Sequence, residues 1–321
     1  MEQKQEYWGW LATGYFFLAA MGAMMAAVVA MLDVLGVTVI DQIYGWVSFA
    51  ALVITGCGSL LLMVELTHIF RAYLVYARPK SIMCMGSYLL TSFLGLTFVY
   101  TTFFIYFVPW SGWVLVRKLV AVLDIVAALG LVVYPGLELA EARGRSFWQG
   151  SGLVALFLVS ATSTGLAGVL LMLIFFELSG SEYLGVLSTL LTVSLVLQLV
   201  LLGSYLWGVR LNGTKEGRQA ILNMVKGPYC VNFWGGVVVL GTLIPLGLSI
   251  LGKMVPFAVG AAALVLIGGL FFRRTFLQAA ERISMPGEEN QQINDQQTKE
   301  LAAALESRWM EKARWLKNQC S

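Results

Sequence analysis

Residues 9–31 read GWLATGYFFLAAMGAMMAAVVAM, an unbroken stretch with no charged side chain. About 20 apolar residues in an α-helix cross the roughly 30 Å of bilayer hydrocarbon. Working outward, seven more runs reach that length, at 44–65, 83–108, 113–135, 150–176, 183–208, 231–252 and 255–272. Within hydrocarbon each backbone amide needs a partner inside its own segment, which a helix provides. The sequence therefore predicts an all-α polytopic membrane protein of about eight transmembrane helices, arranged as two four-helix bundles. Composition agrees: 59% of residues are hydrophobic and 12% charged, with a mean hydropathy of +0.79. Soluble domains carry about 25% charged residues. The leader MEQKQEYW has two Glu and one Lys. The first run also exceeds the roughly 7–15-residue core of a signal peptide, so it is expected to be a retained helix.

The net charge of +3 is too small to suggest a nucleic-acid partner, but the placement of the charges is informative. Eighteen of the 21 Lys and Arg fall in alternate loops and the two termini, leaving Arg117, Lys118 and Lys253 for the opposite side. Positively charged loops stay in the cytoplasm, so both termini are expected there. The chain divides into a membrane domain, residues 1–274, and a polar tail, residues 275–321. Residues 285–297 read as a linker. Residues 298–317 place Leu301, Leu305, Trp309, Ala313 and Leu316 on one helical face. That helix suits either a water or bilayer surface or a docking role toward a cytoplasmic partner.

The four cysteines, Cys57, Cys84, Cys230 and Cys320, form no CxxC pair, and His68 is the one histidine. An iron–sulfur cluster needs several thiolates held together, and a membrane b-type haem usually takes two axial histidines. No haem, iron–sulfur cluster or other metal centre is expected on this chain.

Ionisable groups within the spans carry the chemistry. An Asp at a helix centre costs about 2.5–3.5 kcal/mol on insertion scales, so Asp124, near the middle of the fourth run, needs a reason. Arg117 lies two turns earlier on the same face. The two suit a structural ion pair, or Asp124 serves as a station in a proton path. Glu65, His68 and Arg71 follow one another at three-residue steps at the end of the second run and share a face if the helix continues. They suit interfacial anchoring, or binding and relay of a proton. Tyr134 closes the fourth run on that same side, and Trp8, Trp10 and Tyr15 open the first. Such aromatics are commonly interfacial, and they also make walls and donors for a flat quinone ring.

Several stretches together resemble the NrfD/polysulfide-reductase membrane subunits. These are WGWLATGYFFLAAMGA (8–23), VELTHIFRAYLVYARPKSIMCMGSYLL (64–90), YPGLELAEARGRSFWQGSGLVALFLVSATSTGLA (134–167), FWGGVVVLGTLIPL (233–246) and GGLFFRR (268–274). The resemblance covers nearly all of residues 8–274. It implies a quinone-interacting subunit of a respiratory oxidoreductase in a bacterial or archaeal cytoplasmic membrane, with menaquinone or ubiquinone as cofactor. The quinol would sit beside the first helix and the tyrosine ending the fourth, which matches Tyr134. Where some members carry Asn and His on the first helix, this chain has Ala12 and Tyr15. The implied partners are an iron–sulfur electron-transfer subunit and a catalytic subunit, of molybdopterin type or similar, together with the lipid bilayer. Read this way, Trp10, Tyr15, His68, Arg71 and Tyr134 hold the quinone, and Glu65 and Asp124 handle its protons. A secondary transporter and a passive membrane anchor remain as alternative functions. A transporter favours inverted repeats, and the sequence shows no convincing one.

Overall fold

The computed structural model describes residues 9–37, 41–65, 76, 81–142, 144–150, 152–176, 182–251, 255–280 and 297–309. The apolar runs fold into α1 (Trp10–Val34), α2 (Asp41–Glu65), α3 (Ile82–Thr102), α4 (Val114–Glu141), α5 (Leu153–Phe175) and α6 (Glu182–Asn212). After α7 (Lys215–Val225), a π-helical segment, Val231–Leu243, runs directly into α8 (Ile244–Leu251), and α9 (Val255–Ala279) follows. Residues 297–309 form a further helix, α10. Eight spans, the π–α8 unit counting as one, are long and apolar enough to cross a membrane. There is no strand among the described residues.

Helices α1–α4 pack as one four-helix bundle, and α5, α6, the π–α8 unit and α9 as a second, joined where α1 meets α5 and α9 and where α4 meets α5. Lipid gives no hydrophobic drive for helix association, so close fit between small side chains replaces it. Accordingly α1 is the most enclosed span, 72% buried, and its buried face is built largely of Ala, Gly and Met. In the second bundle the π segment meets α9 backbone to backbone. A Cβ on Gly268 would stand 2.0 Å from Gly241 Cα. The wider π turn shows in Thr242, whose hydroxyl donates to the carbonyl of Val237 five residues back at 2.7 Å.

Several boundaries depart from the apolar runs, among them the end of α9 at Ala279 rather than 272. The third helix stops at Thr102, not 108, and Phe103–Trp113 forms a chain of turns. The fourth does not stop at 135; it continues through Pro135 to Glu141. Proline lacks the N–H that would bond the carbonyl of Leu131, yet its fixed φ is helical, so the helix survives it. The basic segment after the sixth run is a helix, α7, whose N-cap Thr214 accepts from the Gly217 amide. The compact membrane unit comprises Met1–Glu281, and Arg282–Ser321 forms a separate unit.

Candidate functional site

An even number of spans puts the start of α1 and the end of α9 on one face, called here the terminal face. Arg274 of α9 stacks its guanidinium 3.4 Å from the Trp10 ring centre. Tyr15 lies five residues into α1, about 7.5 Å below that face. Tyr134 comes up to it along α4, seven residues before Glu141. Both are buried, at 4% and 5% exposure, and the two phenols lie within electrostatic reach of each other. Glu138 acts on both. One turn beyond Tyr134 on α4, its carboxylate accepts the Tyr134 phenolic hydrogen. Among the described residues the Tyr15 hydroxyl makes no hydrogen bond. The Tyr134 ring lies against the backbone of α3 at Gly86, where a Cβ would stand 2.1 Å from the ring. Only glycine admits the ring there.

A second polar cluster occupies the opposite face of the same bundle. Arg117, in the first turn of α4, reaches the last turn of α1 and pairs with Asp33 at 2.7 Å. Tyr100 donates to the other Asp33 oxygen at 3.1 Å. Lys118 donates to the Val34 carbonyl at 3.4 Å. Midway between the two faces, Thr97 of α3 donates to Asp124 Oδ1 at 2.8 Å. Asp124 is fully buried, and its Oδ2 has no partner.

Polysulphide reductase, NrfD, is the family whose model matches residues 1–283. The chain belongs to the NrfD family. Its members are membrane subunits of respiratory oxidoreductase complexes. No curated protein matches the chain.

In this NrfD-family subunit the expected residues separate. Tyr15 and Tyr134 come together as the sequence implies. Trp10 does not join them; it is 60% exposed and stacked on Arg274. Glu65 ends α2, and its side chain, like His68 and Arg71, lies outside the described residues. The expected pairing of Arg117 with Asp124 is not made. Seven helical residues separate them by about 10.5 Å, whereas Asp33 stands directly across the α1–α4 contact. Tyr134 does not end its helix, and that is why Glu138 was missed. With the run closed at 135, Glu138 reads as a loop residue. Its i+4 spacing from Tyr134 in YPGLE is the signal that could have found it.

Proposed function

We propose that this chain is the quinone-reactive membrane subunit of a respiratory oxidoreductase, and that quinol or quinone binds at Tyr15, Tyr134 and Glu138. The observation that supports it most is the meeting of two buried phenols and a carboxylate within about one helical turn of depth near the terminal face. The residues present fit a quinone. The Tyr15 hydroxyl can donate to one ring oxygen, and apolar and aromatic side chains, Phe16 among them, pack around it. When bound, the quinone supplies two-electron, two-proton redox chemistry. The chain's own part is to hold the ring and to move protons. Tyr15 orients the ring through its O–H. Glu138 accepts a proton at its carboxylate, and Tyr134, hydrogen-bonded to it, holds that carboxylate in place. Electrons would pass to or from a docked iron–sulfur subunit that connects with a catalytic subunit. The skew of Lys and Arg supports termini in the cytoplasm of a bacterial or archaeal cell.

Steady-state turnover of a soluble quinol analogue by the intact complex tests this. Glu138→Gln should lower kcat with little change in KM, because it removes a proton acceptor and keeps the shape. Tyr134→Phe should cost about tenfold to a hundredfold, the equivalent of one hydrogen bond to a charged group at roughly 1.5–3 kcal/mol. Normal kinetics in both variants, with assembly intact, would leave a passive anchor as the better account.

A further inference from the structure

A groove opens at the face opposite the termini, between the start of α2 and the end of α3. Gly45, Trp46, Phe49, Thr101, Phe104 and Ile105 line it, and it encloses about 530 Å³. Its rim faces outward: Trp46, Phe49 and Ile105 are 54%, 48% and 43% exposed. Thr101 spends its hydroxyl hydrogen on the Thr97 carbonyl at 2.7 Å, and the lining is mostly apolar. We propose that this groove holds one acyl chain of a phospholipid as a bound, slowly exchanging ligand.

The occupant follows from the surroundings. A cavity needs polar partners to hold water, and apolar ones stay dry. An empty one forfeits the dispersion contacts of its walls. The groove opens at the end of two membrane spans, where the surrounding medium is hydrocarbon. Its size falls in the roughly 300–1,000 Å³ range of ligand sites. Its floor is set. Gly45 lets α2 approach so closely that a Cβ there would stand 2.7 Å from Phe104 Cβ. The Phe104 ring is met edge-on by Tyr44 and Tyr100, at 6.2 and 5.2 Å. Behind it the Arg117 guanidinium sits 5.2 Å from the ring centre. A chain in the groove therefore braces the ring that supports the buried Arg117–Asp33 pair.

The connection from Phe103 to Val116 carries no charge. It displays Tyr106 and Trp113, at 92% and 61% exposure, and Trp110 Nε1 fastens it by donating to Thr102 Oγ1 at 3.1 Å. Aromatics of this kind sit at headgroup depth, which puts the headgroup at the rim and the chain inside. A quinone is disfavoured as occupant. Gly45 and the terminal-face end of α2 are twenty residues apart, about 30 Å, so a ring held near Tyr15 is at the far end of the bundle.

The test uses the purified full chain in nanodiscs containing a phospholipid with a diazirine in its acyl chain. After irradiation, labelled peptides are mapped by mass spectrometry. Groove residues should be labelled roughly tenfold more than the ordinary lipid-facing positions Val193 and Val200 of α6, as expected for about ten extra dispersion contacts between the chain and the groove walls. Phe49→Trp with Ile105→Trp should fill the groove and bring labelling down to the α6 level. Leu115→Trp, on exposed α4 surface, is the folding and bulk control and should leave labelling unchanged. Adding phospholipid to delipidated protein should raise the Tm of wild type more than that of the filled variant. Uniform labelling, or labelling competed by an isoprenoid quinone and not by phospholipid, would overturn the proposal.

Discussion

The two bundles hold buried charge in opposite ways. In α1–α4, Arg117 meets a carboxylate at 2.7 Å, that carboxylate also takes the Tyr100 hydroxyl, and Asp124 and the Tyr134–Glu138 pair follow along α4. In the second bundle the buried cation is Arg273, 1% exposed. It donates to Ser160 Oγ at 2.8 Å and lies 5.0 and 5.2 Å from the Phe157 and Phe272 ring centres. It makes no ion pair among the described residues, and its Nε has no partner. Around it the polar groups are neutral, as in the Ser163 to Gln198 hydrogen bond of 2.7 Å. A charge in a bilayer must be paired or otherwise compensated. The first bundle compensates by pairing, which leaves several groups able to exchange protons. The second uses π faces and hydroxyls, which leaves none around Arg273 among the described residues. The comparison supports the proposal that the chemistry lies in α1–α4 and that α5–α9 serve as support.

The sharpest way to break that comparison is at the ion pair. Asp33→Asn or Arg117→Met alone leaves a buried charge without its partner, at a cost of about 3–5 kcal/mol. The double variant should recover most of the loss, because buried pairs replaced together by neutral groups are often close to neutral. Thermal unfolding of the detergent-solubilised protein measures all three. Single losses that simply add in the double variant would show that the pair is not a coupled unit.

Arg273→Met should do far less. It removes a charged hydrogen bond, worth about 1.5–3 kcal/mol, and two cation–π contacts of about 0.5–1 kcal/mol each. Against that it removes a buried ion whose desolvation costs several kcal/mol, and it strands no carboxylate. Unfolding should shift by about 1 kcal/mol or less, with quinol turnover unchanged. A loss as large as that of Arg117→Met would mean that the second bundle depends on its charge as the first does.

What sequence alone reveals here follows from periodicity and length. Eight spans and their order show plainly because each apolar run is long. Tyr15 and Tyr134 could be placed together because alternate helices return to one face. The boundaries failed in both directions: α3 stops short of its apolar run, and α4 continues through Pro135 on local geometry, which concealed Glu138. Pairing was the other blind spot. Helical spacing offered Asp124 as the partner of Arg117, but Asp33 is 84 residues away in the chain, and only the packing of α4 on α1 brings it near. The hydrogen-bond partner of Asp124 among the described residues, Thr97, is likewise supplied by another helix.

Asp124 provides the finest test, because the expected change in stability is nearly nil. In Asp124→Asn the amide oxygen can still accept from Thr97, and the group at the Oδ2 position was unpartnered already, so unfolding should move by about 1 kcal/mol or less. Thr97→Val is the matched control: it breaks the same hydrogen bond from the other side and leaves the carboxylate in place. If Asp124 only ties α3 to α4, Thr97→Val should perturb turnover at least as much as Asp124→Asn. If it carries a proton between the faces, Asp124→Asn alone should slow quinol turnover or lower the protons moved per electron, with Thr97→Val close to wild type. Both quantities can be read on the intact complex in proteoliposomes. Unchanged values in both variants would make Asp124 a buried carboxylate with neither role, and the chemistry of α4 would end at Glu138.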